Sequence, residues 1–469
     1  MKSRNANIPW GRIFTATLCL VTALVTYAQT PHRDLVEQFE VQMRTLNHEQ
    51  ALKTAQQLLE MAHAERPHRA QDVVEANTFI GRAYVALDNK AAAEASFKEA
   101  LQVAERDLGA SDSRLVEPLT GLGLLYGRMH QHDQAVALLE RALIISRRNS
   151  GLFDLHQAPV LKQLTESYTE LNALEDAQRH MDYLRAIAER SYGARDPRIV
   201  STLCDIADWY SRVGDGPTSR MLYRQAVEIV QQKRGKGSIE MVEPLQGLAR
   251  SYTRELVIPR LDDGRQRERS TINFGGGPAG LPEEQPDPRF AGPKYLNTEG
   301  EHALERAVKI LELQPQPQPA ALSRALINYG DWFQIKQDEK KALSIYQRAV
   351  TLRTSPDQAP LETSEFFEVP VRLYYPVPIS AGRYVNRPPE EVEDRSVLVE
   401  FTVNATGEVE KPVVVEADAS KRQISDTLAA VSQARFRPRF INGEPVATTG
   451  VRLRQMFKSL KKDKEKDDS

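Results

Sequence analysis

The stretch "IGRAYVALDNKAAAEASFKEA", Ile80 to Ala100, sets the period of most of this chain. A similar order of small, aromatic and apolar residues returns 42 residues later, in "LGLLYGRMHQHDQAVALLERA" from Leu122 to Ala142, with Leu139 in the place of Phe97. Further steps of 42 give Thr165, Ala207 and Ala249 as equivalents of Gly81. A constant step of this length is typical of stacked structural repeats, whereas an irregular helical bundle would not keep it.

The repeated residue types predict pairs of antiparallel helices. A small residue is needed where two helices cross closely, an aromatic residue one turn later fills the wedge between them, and Phe97 or Tyr223 seals one pair against the next. The repeated positions are Gly81, Tyr84, Ala93, Phe97 and Ala100; Gly123, Tyr126, Ala135, Leu139 and Ala142; Thr165, Tyr168, Ala177, Met181 and Leu184; Ala207, Tyr210, Ser219, Tyr223 and Ala226; Ala249 and Tyr252; and, later, Gly330, Phe333, Ala342, Tyr346 and Ala349.

These residues resemble the tetratricopeptide repeat, in a version with lengthened helices. The resemblance covers residues 31–352, including a degenerate first pair between Leu35 and Arg66, and it implies an α-solenoid of helix pairs. Solenoids of this kind bind partners on the concave face, which the first helix of each pair lines. The family specifies the fold but not the ligand.

The polar positions on the first helices are the candidate binding residues of this face. Their mixed charges favour a protein or peptide partner over a lipid or a polyanion, although a merely solvated face is the alternative. They are Glu75, Thr78, Arg82, Glu117, Thr120, Arg128, Lys162, Glu166, Asp208, Arg212, Glu243, Gln246, Arg250 and Arg254.

The fifth helix pair is interrupted by residues 256–296, which are rich in Gly, Pro and charge. The triple glycine at 275–277 is not a phosphate loop, because no Lys-Ser or Lys-Thr follows it. An insertion of this length is either a flexible loop or a docking segment, and the composition favours the loop. The helical pattern resumes near Glu299.

After the repeats the hydrophobic period changes to two. "SVLVEFTV", Ser396 to Val403, predicts a half-buried strand, and "NATG" predicts the turn into a partner strand. The remaining elements are a strand at Val409–Val415, a helix with Ile424, Leu428 and Val431 on one face, a strand with Phe436 and Phe440, a tight turn at Asn442-Gly443 and a last strand from Val446 to Phe457. Together they predict a small α+β domain.

"VLVEFTVNATGEVEKPVVVEAD", "ARFRPRF" and "NGEPVATTGVRLRQMF" resemble the C-terminal domain of the TonB family, over residues 365–458, and "YYPVPISA" from Tyr374 to Ala381 fits its usual start. The resemblance implies a periplasmic domain that captures an extended segment of an outer-membrane receptor by strand addition. If the last strand is an open edge, the residues flanking the partner are Val446, Thr448, Gly450, Arg452 and Arg454. The alternative is that this strand only completes the sheet.

The N-terminus indicates export. Basic residues precede the apolar run "IFTATLCLVTALVTYA", Ile13 to Ala28, so residues 1–28 are either a cleaved signal peptide or a retained anchor. Both alternatives place the body in the periplasm, in the second case anchored at the inner membrane, and membrane contact requires retention. The energy-transducing members of the TonB family carry a histidine in this segment, and residues 1–30 contain none.

Composition and motifs exclude several functions. Basic and acidic residues number 62 and 64, which argues against nucleic acid binding. The histidines are scattered, and Cys204 is predicted to be a helix residue, so we expect no enzyme, cofactor or metal site. Residues 459–469 form a charged tail expected to be disordered. The sequence therefore predicts an interaction protein, with an anchored energy transducer for outer-membrane transport as the alternative.

Overall fold

The structure, a computed structural model, describes residues 30–64, 69–257, 298–352, 366–382, 387–388 and 390–461. The predicted signal or anchor, nearly all of the insertion and most of the charged tail lie outside these residues. The chain divides into two compact units, Met1–Ala194 and Arg195–Ser469. In the described part of the chain, no helix is both long enough and apolar enough to cross a membrane.

The first unit consists of successive helical hairpins. Its helices are α1 Thr30–Arg44, α2 His48–Ala64, α3 Ala70–Ala86, α4 Lys90–Asp107, α5 Val116–Arg128, α6 His132–Ser150, α7 Ala158–Glu170 and α8 Leu174–Tyr192. Consecutive helices pack against each other along the series. This arrangement confirms the α-solenoid of helix pairs that the 42-residue period predicts.

The second unit continues the hairpins and adds the terminal domain. Its repeat helices are α9 Val200–Arg212, α10 Gly216–Arg234, α11 Val242–Val257, α12 Thr298–Glu312, α13 Pro319–Lys336 and α14 Glu339–Thr351. Helices α11 and α12 pack together, so the pair interrupted by the insertion is completed as predicted. Glu299 at the start of α12 accepts a hydrogen bond from the Tyr252 hydroxyl of α11 and from Arg224 of α10.

Aromatic side chains occupy the space that the repeat glycines leave. The ring of Phe97, fully buried on α4, lies against Gly81 of its own pair and Gly121 of the next. A Cβ atom on Gly81 would approach that ring to 2.6 Å, and one on Gly121 to 2.5 Å. Tyr223 lies against Gly247 in the same way, at 2.2 Å. The predicted sealing role of Phe97 and Tyr223 is confirmed.

The connections between pairs also repeat. Each of four second helices is followed within two residues by a glycine with positive φ. A capping residue then accepts a hydrogen bond from a backbone N–H two residues later, at the start of a 3-10 turn. The glycines are Gly109, Gly151, Gly193 and Gly235, and the capping residues are Asp112, Asp154, Asp196 and Ser238. Both sets follow the 42-residue step.

The terminal domain is built around a three-stranded antiparallel sheet in the order β3–β2–β7. Its elements are β1 Val371–Tyr374, β2 Val392–Val403, β3 Val409–Ala417, α15 Lys421–Gln433, β4 Arg435–Arg437, β5 Arg439–Ile441, β6 Glu444–Val446 and β7 Thr448–Leu460. The predicted inward face of β2 is buried together with Val431 of α15. The α+β fold and its element order are therefore confirmed.

Two details of the predicted strands are wrong. Phe436 and Phe440 lie on separate short strands, β4 paired with β1 and β5 paired with β6, because Pro438 between them has no N–H for a continuous ladder. Val446 belongs to β6 and not to the last strand. The Asn442-Gly443 turn is confirmed: both residues have positive φ, 50° and 86°, as a two-residue hairpin turn requires.

Candidate interaction surfaces

Among the candidate binding residues of the first unit, Arg82 is the centre of an ion network. Its guanidinium donates to both carboxylate oxygens of Glu40, at 2.7 and 3.1 Å, and to Glu117 at 3.2 Å. It also lies over the stacked rings of Phe39 and Phe79. Burial raises the pKa of Glu117, and the positive charge of Arg82 opposes that change. A partner would therefore meet a pre-ordered ion network, not a set of independent charges.

Glu75 lies in a small group of potential cation ligands with His32 and Asp72. One ligand atom from each lies within 4.8 Å of the others, and the Nε2 atom of His32 is 3.3 Å from the Glu75 carboxylate. Burial raises the pKa of Glu75 above its ordinary value, and the nearby His32 opposes this rise only in part. All three side chains are partly exposed, and exposed groups of this kind are common in proteins without a metal ion.

Two of the predicted concave residues are not available to a partner. Thr78 is 1% exposed, and its hydroxyl donates to the Val74 carbonyl at 2.7 Å. Gln246 is 9% exposed and accepts from Asn328 at 3.2 Å. These residues occupy the same position in the repeat as Thr120 and Lys162, which are partly and fully exposed. The repeat position therefore does not decide the burial of its side chain.

The other predicted positions are at least partly exposed. On the second unit, Asp208 faces two arginines, with its Oδ1 atom 3.6 Å from Arg250 and 3.9 Å from Arg254. The remaining partly or fully exposed positions are Thr120, Arg128, Lys162, Glu166, Arg212 and Glu243. Whether these residues bind a partner stays a prediction.

Cys204 lies in the core of a helix pair, and His130 and His132 lie at the turn between two helices. Cys204 is 1% exposed on α9, and burial raises the pKa of its thiol, which disfavours the reactive thiolate. His130 has a positive φ of 58° in the turn between α5 and α6, and His132 begins α6. Cys204 therefore packs in the core, and His130 helps to reverse the chain between α5 and α6.

Strand β7 forms one edge of the terminal sheet, since among the described residues it pairs only with β2. At its end the Lys461 N–H donates to the Glu391 carbonyl at 2.9 Å. Because hydrogen-bonded pairs alternate along an antiparallel ladder, the odd-numbered residues of β7 bond to β2. The N–H and C=O groups of Arg452, Arg454, Met456 and Lys458 therefore point away from β2.

The two edges of this sheet differ in their suitability for pairing. From Val451 to Leu460 the register of β7 with β2 has no irregularity, and Gly450, with φ of 73°, lies just before this run. Strand β3 at the opposite edge contains Lys411 with φ of 50° and Pro412, which has no N–H. A bulge and a proline are ordinary means of blocking an edge. Among the described residues β7 is therefore the more regular of the two edges, and one of its outward carbonyls, that of Met456, accepts a hydrogen bond from the Gln455 side chain at 2.7 Å.

A third surface, which the sequence did not predict, joins the terminal domain to the last helix pair. Arg437 of β4 donates two hydrogen bonds to the Asp331 carboxylate of α13, at 2.9 and 2.7 Å. The side chains of Arg437 and Asp331 are 6% and 17% exposed. The Tyr346 hydroxyl of α14 also donates to Asp331, at 2.7 Å. The available signal was the alternation of three arginines with buried aromatic residues in "ARFRPRF", because a buried cation needs an acidic partner.

Aromatic and backbone contacts extend this junction. The rings of Tyr346, Phe367 and Phe440 meet edge-on, with centroid separations from 4.9 to 6.1 Å. Gln334 of α13 donates to the Thr406 carbonyl at 2.7 Å, beside Gly407. The last helix pair and the terminal domain thus share one packed interface.

Comparisons with known families support the two halves of the architecture. Residues 392–458 match the model of the Gram-negative bacterial TonB protein C-terminal domain. Residues 74–107 and 119–154 match tetratricopeptide repeat models. No curated protein matches the chain.

Several solved structures resemble the repeats. TPR-like repeats from Podosopora anserina are 16% identical and cover 43% of this chain and 95% of their own, with a TM-score of 0.38. The C-terminal part of a TPR repeat-containing protein from Cytophaga hutchinsonii is 10% identical over 68% of this chain and 96% of its own, with a TM-score of 0.37. The apo quorum sensor NprR from B. thuringiensis is 8% identical over 72% and 94%, with a TM-score of 0.38. These likenesses are too low to carry an argument about function.

The chain therefore combines tetratricopeptide repeats with a C-terminal domain of the TonB family.

Proposed function

We propose that this protein is a non-enzymatic periplasmic scaffold, in which the repeats bind one protein partner and the terminal domain binds an extended segment of an envelope or outer-membrane partner by strand addition. The regular edge of β7, against which no second strand pairs in the described part of the chain, carries this proposal. Main-chain hydrogen bonds to such an edge supply affinity, and side-chain contacts at alternate positions supply specificity. The exported location rests on the N-terminal sequence alone.

A proline substitution tests the strand addition directly. Met456→Pro removes an N–H that points away from β2, so the ladder with β2 is kept while the edge loses a donor. Met456→Ala is the matched control, since it removes the same side chain and keeps the N–H. Decapeptides are selected from a displayed random library with the full-length protein. We expect the selected peptides to bind Met456→Ala and to lose at least tenfold in affinity for Met456→Pro.

Amide hydrogen exchange provides the second measurement. A bound strand should slow exchange at Arg452, Arg454 and Lys458, whose N–H groups face the open edge. Exchange at the odd-numbered residues of β7 is already slowed by β2 and should change little. Strand addition is rejected if the peptides bind both variants equally and protect no β7 amide.

The anchored energy transducer is the second candidate function, and the TonB-family match is the observation that favours it. It requires residues 1–28 to remain in the inner membrane. The mass of the intact protein from its native host decides between the two candidates. A mature chain that begins near Gln29 excludes the transducer, and a retained Met1 excludes the freely exported scaffold.

A further inference from the structure

On the outer face of the terminal sheet, the charges of the cross-strand ion pairs are separated by strand. Strand β7 contains three cations and no acidic residue, whereas their partners are carboxylates on β2 and β3. The ion pairs are Arg452–Glu400 at 2.8 Å, Arg454–Glu416 at 2.8 Å and Lys458–Asp394 at 2.6 Å. In these ion pairs the negative charges therefore lie on β2 and β3, and the positive charges lie on β7 at the open edge.

The cations of β7 remain able to bind a second carboxylate. Arg452 is 61% exposed and reaches Glu400 through its Nε atom, and an arginine has five N–H donors in total. Arg454 and Lys458 are 43% and 41% exposed. A strand added to β7 would place its own outward side chains directly opposite these residues, at the distance where opposite charges attract and like charges repel.

The rest of the edge defines the other positions. Met456, between Arg454 and Lys458 on the same face, is 50% exposed and offers an apolar surface. On the opposite face, β7 presents Leu453 and Phe457, which belong to the core of the domain. Gln455 lies between them on this face and accepts a hydrogen bond from the Tyr375 hydroxyl at 2.9 Å, so apolar side chains of an added strand would be placed beside Leu453 and Phe457.

We infer that the segment captured by β7 is an acidic, alternating peptide: carboxylates opposite Arg452, Arg454 and Lys458, an apolar residue opposite Met456, and apolar residues on the alternate face. The inference rests on the proposed strand addition and names the partner chemistry of that site. The opposite edge strand β3 carries two acidic residues, Glu410 and Glu416, and one cation, Lys411, whereas β7 carries three cations and no acidic residue, so the charge pattern also favours β7.

Three synthetic nine-residue peptides test the partner chemistry with the full-length protein. The first alternates glutamate and valine, except that valine also occupies the outward position that faces Met456. The second replaces each glutamate by lysine, and the third has the composition of the first with its glutamates in one block. A block cannot place all its carboxylates on one face of a strand. At 150 mM salt we expect the first peptide to bind about tenfold more tightly than either of the others, from about two- to threefold per charge pair.

A charge-swapped variant provides the control for folding. Glu400→Arg with Arg452→Glu, together with Glu416→Arg and Arg454→Glu, preserves both cross-strand pairs and makes β7 acidic at these positions. The thermal midpoint should be unchanged within a few degrees, while the preference should reverse in favour of the lysine peptide. Met456→Pro should abolish binding of the glutamate peptide, which separates β7 from the repeat surface.

The outcomes distinguish the two proposals. If the glutamate and lysine peptides bind equally, or the swapped variant keeps the original preference, the acidic partner is wrong while strand addition stands. If no peptide binds, or if Met456→Pro binds the glutamate peptide as the natural sequence does, strand addition itself is contradicted and the inference falls with it.

Discussion

At the scale of single residues, the packing of the repeats depends on large aromatic side chains that lie directly against glycines. Phe97 is fully buried between Gly81 and Gly121, so neither glycine can gain a methyl group unless the ring moves. Close packing leaves little room for such a movement. The glycine is therefore kept in a helix although its backbone entropy disfavours it there.

Gly81→Ala is expected to destabilise the first unit. The helix gains about 1 kcal/mol from replacing glycine, but overpacking against Phe97 costs about 1–3 kcal/mol. The net fall in the free energy of unfolding should be measurable by urea denaturation. Gly127→Ala is the matched control, because a Cβ there meets only the Ser167 hydroxyl at 3.8 Å. If the two variants are equally stable, the wedge has no energetic role.

His180 gives the first unit a dependence on pH. Burial lowers the pKa of its imidazole from the ordinary 6.5, against the opposing effect of Glu140, and the ring stacks on Tyr168. The unfolded chain then binds the proton more readily than the folded chain does. The stability due to the neutral imidazole is complete above pH 6.5 and is lost as the pH falls through the lowered pKa.

His180→Gln should therefore weaken the decline of the thermal midpoint between pH 7 and pH 5, as measured by calorimetry. The variant is also expected to lose the stacking on Tyr168, so its midpoint at pH 7 should be lower than that of the natural sequence. If the dependence of the midpoint on pH is unchanged in the variant, unfolding is not coupled to protonation of His180.

At the scale of elements, the connectors are as regular as the helices. Gly235 ends α10 with φ of 90° and ψ of 168°, a region that residues with a Cβ atom rarely adopt. Nothing lies within 4 Å of a Cβ built there, so the constraint comes from the backbone alone. The following Ser238 then caps the 3-10 turn that leads into α11.

Gly235→Ala should cost about 1–3 kcal/mol through backbone strain. Gly237→Ala, two residues later in the same connector, meets no atom within 4 Å and does not have the positive φ. It should change the stability by less than about 0.5 kcal/mol. The difference in the free energy of unfolding between these variants, measured by chemical denaturation, gives the cost of placing a side chain at positive φ. Equal stabilities would show that there is no such cost.

The helix pairs could be predicted because their period is long and their small and aromatic positions are distinctive. The connectors carry the same period, in "GASD", "GLFD" and "GARD", and could have been found by the same comparison. The division of this stretch into β4, β5 and β6 was harder to predict, because the alternation of polar and apolar residues continues on both sides of Pro438. The burial of Thr78 and Gln246 depends on neighbouring helices, which a pattern within one helix cannot show.

At the scale of the whole second unit, the main unpredicted feature is the junction between repeats and terminal domain. Arg437 and Asp331 are separated by 106 residues and lie in elements of different type, so no local pattern connects them. Removing one partner leaves the other charge buried without compensation. The structure therefore makes the terminal domain a cap on the last helix pair, and the β7 edge is held in a fixed position relative to α13 and α14.

Asp331→Ala tests this coupling. The loss of the carboxylate should cost about 3–5 kcal/mol, because Arg437 and the Tyr346 hydroxyl both lose their acceptor. Arg452→Ala, which removes an exposed ion pair, is the control and should cost less than about 1 kcal/mol. Amide exchange should accelerate in α14 and also in β4, on both sides of the interface. Acceleration confined to the helices would show that the domain folds independently of the repeats, and the edge strand would then be tethered to the repeats without being fixed in position.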